Sequence, residues 1–188
     1  MKKFFKSLML ISVCLGLSAT VNAKTFRYAT TGDILGLDPH ANNEGPTNTM
    51  KGNIYGRMLH RKADLSLEPD LATKWEKLDA NTWRFSLRRG VKFHNGNDFN
   101  ADDVLFSYKR QTQEASDMSF ALATIKQINK VDDYTVDLIT KGPDPILLLN
   151  MPMFYIVDKE WIEANNAFEV VRASGSTNFA NVNTNGTG

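Results

Sequence analysis

Three histidines, two adjacent carboxylate pairs and two loop glycines are the residues of this 188-residue chain whose types could do chemistry. His40, His60 and His94 would bind a metal or carry protons only if the fold gathered them. They stand 20 and 34 residues apart, unlike the close pairs of helical zinc sites, and the single cysteine, Cys14, falls in a leader-like run. Each is therefore expected in a loop or on the surface. Asp102/Asp103 and Asp132/Asp133 have the carboxyl chemistry for acid–base work, yet the first pair opens a predicted helix and the second makes a turn. Gly32 and Gly36 are not followed by the Gly-Lys-Ser/Thr of a phosphate loop, and no Gly-x-Ser-x-Gly elbow occurs. No catalytic residue, metal site or cofactor is expected, and the chain does not read as an enzyme.

The segments that carry these residues begin after a leader. Lys2, Lys3 and Lys6 precede the apolar run SLMLISVCLGLSATV, and Val21-Asn22-Ala23 ends it in a small-x-Ala pattern. This is the form of a secretory signal peptide over 1–23, cleaved after Ala23, and it implies export to the periplasm. The run of about 15 residues is shorter than the roughly 20 that a spanning helix needs. Its loss takes the net charge from +1 to −2 and removes the only cysteine. A slightly acidic surface is a poor match for nucleic acid or anionic membrane.

Beyond the leader, Thr25–Thr30 alternates as an opening strand, and a helix is predicted from Pro46 to about His60, with Met50, Ile54 and Met58 as its apolar stripe. Trp83, Phe85 and Leu87 alternate with polar residues and pair with the stretch around Trp75 through a turn at Asp79-Ala80-Asn81. Asn95-Gly96 is the strongest short turn signal. Asn100 and Asp103 form a predicted capping box, with Val104, Leu105 and Tyr108 as the buried stripe and Lys109 and Arg110 matching the helix dipole. A second hairpin turns at Asp132-Asp133, with Tyr134, Val136 and Leu138 on one face. Asp144-Pro145 opens a short helix, Phe154–Val157 is a candidate strand, and Asp158 caps a further helix. The last fifteen residues are rich in Ser, Thr, Asn and Gly and would not alone form a stable element. Strands and helices mix without a βαβ rhythm, which gives this segment α+β character.

Pro69, Leu71, Ala72, Trp75 and Glu76, then Phe85, Leu87, Arg88, Gly90, Val91 and Phe93, then Gly96, Ala101, Asp103 and Val104 together resemble the signature of the peptide/nickel-type (family 5) solute-binding proteins of ABC importers. That family contains the periplasmic dipeptide- and oligopeptide-binding proteins. Leu37–His40 (LDPH) before this signature and the stretch GPDPILLLNM after it are similar to family features in the same order, and the final NGTG resembles the start of a Gly-Thr-Gly-Pro segment. The resemblance covers Thr25 to about Phe168.

It implies an α/β fold with an α+β subdomain, of the type II periplasmic-binding-protein kind, represented by an incomplete lobe I. Residues 24–54 would start lobe I, 55–165 would form an extra subdomain on it, and 166–188 would return to the lobe. The loop after LDPH would border the ligand cleft, which points to Glu44, Gly45, Pro46 and Thr47 as ligand-facing residues, where backbone N–H groups could meet a peptide carboxylate or carbonyl. The alternative is a simple loop leading into a helix. The implied function is periplasmic binding of a solute, a di- or oligopeptide, and its delivery to an inner-membrane ABC permease, with a monomeric full-length relative. Peptides, glutathione, haem and nickel chelates all occur with this scaffold. Relatives are far longer, so an N-terminal portion such as this is expected to bind ligand weakly or not at all alone. The rival reading is a small stand-alone periplasmic interaction protein without a transport role.

Overall fold

The computed structural model describes Ala29 and residues 32–172 and 178–188. The leader over 1–23 and, apart from Ala29, the predicted strand over 25–30 lie outside the described residues.

Glu44 caps helix α1 (Gly45–Ile54) by accepting the Thr47 N–H, and Pro46 occupies the first turn, where its missing N–H costs nothing. The helix ends six residues earlier than its periodicity predicts. Tyr55 turns extended, the Gly56 N–H donates to Thr187 Oγ1, and the Gly56 carbonyl accepts from Ile156 N. A Cβ on Gly56 would lie 2.4 Å from that hydroxyl oxygen and 2.8 Å from Leu71 Cδ1, so only glycine fits here. Met58 is consequently buried as an extended residue, its N–H donating to Phe154 O, rather than as part of a helical stripe. The buried positions of α1 are Thr47 and Lys51, not Met50 and Ile54.

Strands β1 (Leu59–Arg61) and β2 (Leu67–Pro69) form a small antiparallel pair. The main sheet holds β3 (Ala72–Lys77), β4 (Thr82–Leu87), β5 (Ile125–Asp132) and β6 (Thr135–Thr140), antiparallel in the order β3-β4-β6-β5. Both predicted hairpins are present. Asp79 accepts the Asn81 N–H in the first turn and Asp132 accepts the Tyr134 N–H in the second, as short polar side chains do when they brace a turn. Phe85 pairs with Trp75 and Val136, and Ile128 with Leu138, so the alternating residues gather on one face. Arg84 and Asp137 form a two-pronged ion pair between adjacent strands at 2.8 Å.

Helix α2 (Ala101–Gln111) begins with the predicted capping box of Asn100 and Asp103. Its buried face is wider and more polar than the Val104-Leu105-Tyr108 stripe. Asp103, Ser107, Arg110 and Gln111 are all buried, while Leu105 and Tyr108 are half-buried. Short helices α3 (Leu147–Asn150), α4 (Lys159–Ala164) and α5 (Phe179–Val182) follow. Asp158 caps α4 by accepting the Trp161 N–H. Phe154–Val157 is fully buried but makes one isolated bridge, Tyr155 to Arg57, instead of a strand, because the α4 cap at Asp158 ends the extended run.

Two apolar clusters result. The larger joins Met58, Phe85, Leu87, Val104, Ile125, Val136, Leu138 and Ile156 between sheet and helices. The smaller joins Tyr55, Phe106, Val157, Ile162, Ala167 and Ala180. The polar C-terminal stretch is docked despite its composition. The His94 N–H donates to Gly186 O and Gly188 N to Ile54 O, and Asn185 is buried against Asp158, so amides supply what apolar side chains do not.

Candidate functional site

The loop from Asp38 to Thr47 is anchored beneath by a buried polar cluster. Arg110, at the end of α2, and Asp38 are both fully buried and joined by two hydrogen bonds, Nη1 to Oδ1 at 2.8 Å and Nη2 to Oδ2 at 2.6 Å. The remaining guanidinium donors go to Ala167 O, from Nε at 3.1 Å and Nη2 at 3.0 Å. Arg110 Nη1 also lies 3.0 Å from His40 Nδ1, and His40 Nε2 lies 3.0 Å from Tyr155 O. Arginine only donates and a carbonyl only accepts, so Nδ1 is the acceptor and Nε2 carries the hydrogen. His40 is thus a buried neutral residue and not the loop or surface residue expected from spacing. The physical reason is that the cluster supplies one acceptor and one donor for its ring, which satisfies it without charge.

Burial, helped by the Arg110 charge, lowers the His40 pKa to about 3. Burial alone would raise the Asp38 pKa, but the Arg110 hydrogen bonds and charge outweigh it and hold the carboxylate below its usual range. Lys51, also buried, donates from Nζ to Asn42 O, and desolvation lowers its pKa to about 8, which leaves it charged at neutral pH. Ser116 donates to His40 O at 2.7 Å and the Asp117 N–H to Ala41 O at 3.2 Å. Four residues of the loop, Asp38, His40, Ala41 and Asn42, are therefore tied down by side chains or backbone from α1, α2 and the 116–117 turn.

This anchoring decides what the four sequence-predicted residues present. Gly45 is exposed, and Glu44 and Pro46 are half-buried. One Glu44 carboxylate oxygen is taken by Thr47 N at 2.9 Å. Thr47 is buried and its hydroxyl accepts Leu35 N at 3.0 Å, so it supports the loop from inside. Its N–H is already used by Glu44, which reduces the anion-binding capacity of the α1 N-terminus. An acidic, backbone-rich surface remains, suited to an ammonium or amide donor.

Arg110, Asp38, His40 and Lys51 escaped sequence reasoning as site residues. The LDPH stretch was the available signal, but its partner lies 72 positions away. An open cleft of about 490 Å³ sits at the other end of α1, lined by Arg57, Asp70, Arg88 and Gly188 among others, and does not include residues 44–47. Asp103, Asp158 and Glu160 approach one another closely. Both oxygens of Asp103 and of Asp158 accept N–H groups.

The architecture is that of part of a type II periplasmic binding protein. A dipeptide-binding protein from Pseudoalteromonas sp. SM9913 in complex with Met-Leu superposes with a TM-score of 0.70 at 25% identity, over 84% of this chain and 34% of that one. The periplasmic binding protein DppA of Helicobacter pylori, in complex with the peptide STSA, gives 0.65 at 29% identity, over 71% and 31%. Residues 66–188 match the family model of the bacterial extracellular solute-binding proteins, family 5 (middle), and the chain belongs to that family. It is 32% identical over 176 residues to the dipeptide-binding protein of Escherichia coli K12, covering 81% of this chain and 33% of that protein. Haem-binding protein A of Haemophilus influenzae is 33% identical over 155 residues, 70% of this chain and 28% of that protein. The chain thus spans about a third of the length of these relatives. The family is one of solute-binding proteins and not of enzymes. Among the described residues no helix is long and apolar enough to cross a membrane.

Proposed function

We propose that this chain contributes one wall of a periplasmic receptor for small peptides that delivers its solute to an ABC permease. The supporting observation is the rigidly anchored 38–47 loop in a chain of this family, similar in sequence and fold to proteins named for dipeptide binding. In this reading residues 1–23 are a signal peptide cleaved after Ala23, 24–54 begin lobe I, 55–165 form the extra subdomain and 166–188 return to the lobe. Glu44, Gly45 and Pro46 face the ligand, with Thr47 holding them in place. The Glu44 carboxylate meets the ammonium end of an extended peptide, and backbone groups take its amides. Neither the family nor the similar solved structures favour the stand-alone interaction protein.

A cleft that encloses a peptide buries most of the ligand surface, and about a third of a relative's length supplies only part of that enclosure. These 188 residues alone are expected to give no calorimetric signal with mixed di- and tripeptides at micromolar concentration. Joined to the remaining two thirds of the E. coli dipeptide-binding protein, they are expected to bind, and Glu44→Gln is expected to weaken that binding about tenfold. Micromolar binding by the 188 residues alone, or a chimaera indifferent to Glu44→Gln, would overturn the assignment.

A further inference from the structure

Three carboxylates meet where the start of α2 faces the start of α4. The nearest oxygens of Asp103, Asp158 and Glu160 all lie within 4.8 Å of one another. Asp103 and Asp158 are buried, and Glu160 is exposed. No Lys, Arg or His among the described residues forms an ion pair with any of them. Three titratable groups on the surrounding elements are engaged elsewhere. Asp102 pairs with Lys130, Asp98 with Lys92, and the His94 ring bonds Gly188 O and Gly186 N. Lys159 gives the cluster its backbone N–H, and Glu163 sits one turn further along α4.

The cluster is also a junction. Asp103 Oδ1 accepts Lys159 N at 3.0 Å and Oδ2 accepts Asn100 N at 2.9 Å, which ties α2 to α4. Asp158 Oδ2 accepts three side-chain amides, from Asn95 at 2.8 Å, Asn97 at 2.9 Å and Asn185 at 2.8 Å. Asn185 in turn accepts Asn95 N at 3.0 Å. One carboxylate therefore holds the 95–97 turn and the C-terminal segment together.

Three like charges at this spacing, two of them withdrawn from water and none neutralised, repel one another, and a single proton relieves the repulsion. We propose that Asp103 holds that proton below neutral pH and that the cluster is a proton-controlled latch: protonated, it clamps the 95–97 turn and residues 183–188 onto the α2–α4 junction, and it loosens as the proton leaves. Burial raises the Asp103 pKa to about 7 against the pull of its two backbone N–H bonds, with Glu160 and Asp158 adding to the rise. The folded chain then keeps a proton that the unfolded chain has released, so the latch is tightest below about pH 4, weakens as pH rises from there to about 7, and stays loose above that. This inference is independent of which solute the receptor carries.

Because His40 titrates with the opposite sign over part of the same range, the readout must be local. Amide hydrogen exchange on the full chain, corrected for the intrinsic pH dependence, reports it at Lys159, Asn95 and Gly188, whose N–H groups bond Asp103, Asn185 and Ile54. Protection at all three is expected to fall about tenfold between pH 6 and pH 8.5. Glu160→Gln, an exposed change that removes one charge, should flatten that fall and lower the Asp103 carboxyl titration midpoint, followed by carbon NMR, by about one unit. An Asp103 carboxyl that titrates below pH 5, or exchange with the same pH dependence in wild type and Glu160→Gln, overturns the proposal.

Discussion

Arg110 shows how one residue can carry two readings. Beside Lys109 in the last turn of α2 it reads as a surface cation complementing the helix dipole, and nothing local says otherwise. Folding buries it completely, because Asp38, His40 and the Ala167 carbonyl satisfy its donors. A buried pair broken on one side leaves an uncompensated charge, so Arg110→Ala is expected to cost about 3–5 kcal/mol in urea unfolding. The double variant Asp38→Leu/Arg110→Met should recover most of that loss. A single variant within about 1 kcal/mol of wild type would mean the pair is solvated, as surface pairs are. His40 adds a pH signature at the same scale. Its pKa is depressed to about 3, so the unfolded chain takes up a proton below about pH 6.5 that the folded chain refuses, and stability is lost as pH falls through that interval. Asp103 works in the opposite direction between about pH 4 and 7. With His40→Gln, thermal unfolding is therefore expected to become more favourable to the fold on going from pH 6.5 to 4.5, relative to wild type. Parallel profiles for the two proteins would exclude His40 from the acid response.

At the scale of elements, local chemistry was legible where a rule acts within a few residues. The alternation of Trp83, Phe85 and Leu87, the turns at Asp79 and Asp132 and the Asn100/Asp103 capping box are all set by neighbours in sequence, and all are found. The end of α1 was not legible, because it is imposed by Thr187 and Ile156, more than a hundred positions away. The candidate loop divides in the same way: Glu44 as a helix cap follows from local pattern, whereas the burial of Thr47 and Lys51 depends on what packs beneath. The C-terminal segment illustrates a third case, in which composition misleads. Gly186 lies so close to the Ile54 carbonyl that a Cβ would sit 1.8 Å from its oxygen. Gly186→Ala is expected to detach residues 183–188, seen as lost exchange protection at Gly188 and His94, whose N–H groups bond Ile54 O and Gly186 O. Retained protection at both would show that the backbone shifts to accommodate the methyl group.

For the whole molecule, the polar anchor determines which parts cohere. Family pattern marks 55–165 as a subdomain set apart from the flanking lobe I segments. The structure gives those flanks strong ties: Asp38 to Arg110, His40 to Tyr155, Lys51 to Asn42 beneath the loop, and Ala167 to Arg110. Regions with buried partners open only at high free energy, while exposed connections are cut first. Limited proteolysis is therefore expected to leave one core fragment that retains Asp38 at one end and Ala167 at the other. In Arg110→Ala, where both ties are lost together, the fragment should shrink at each end toward 55–165. A wild-type core that already begins near Tyr55 would show that the 38–47 loop is held too weakly to form a preorganised wall of a binding cleft.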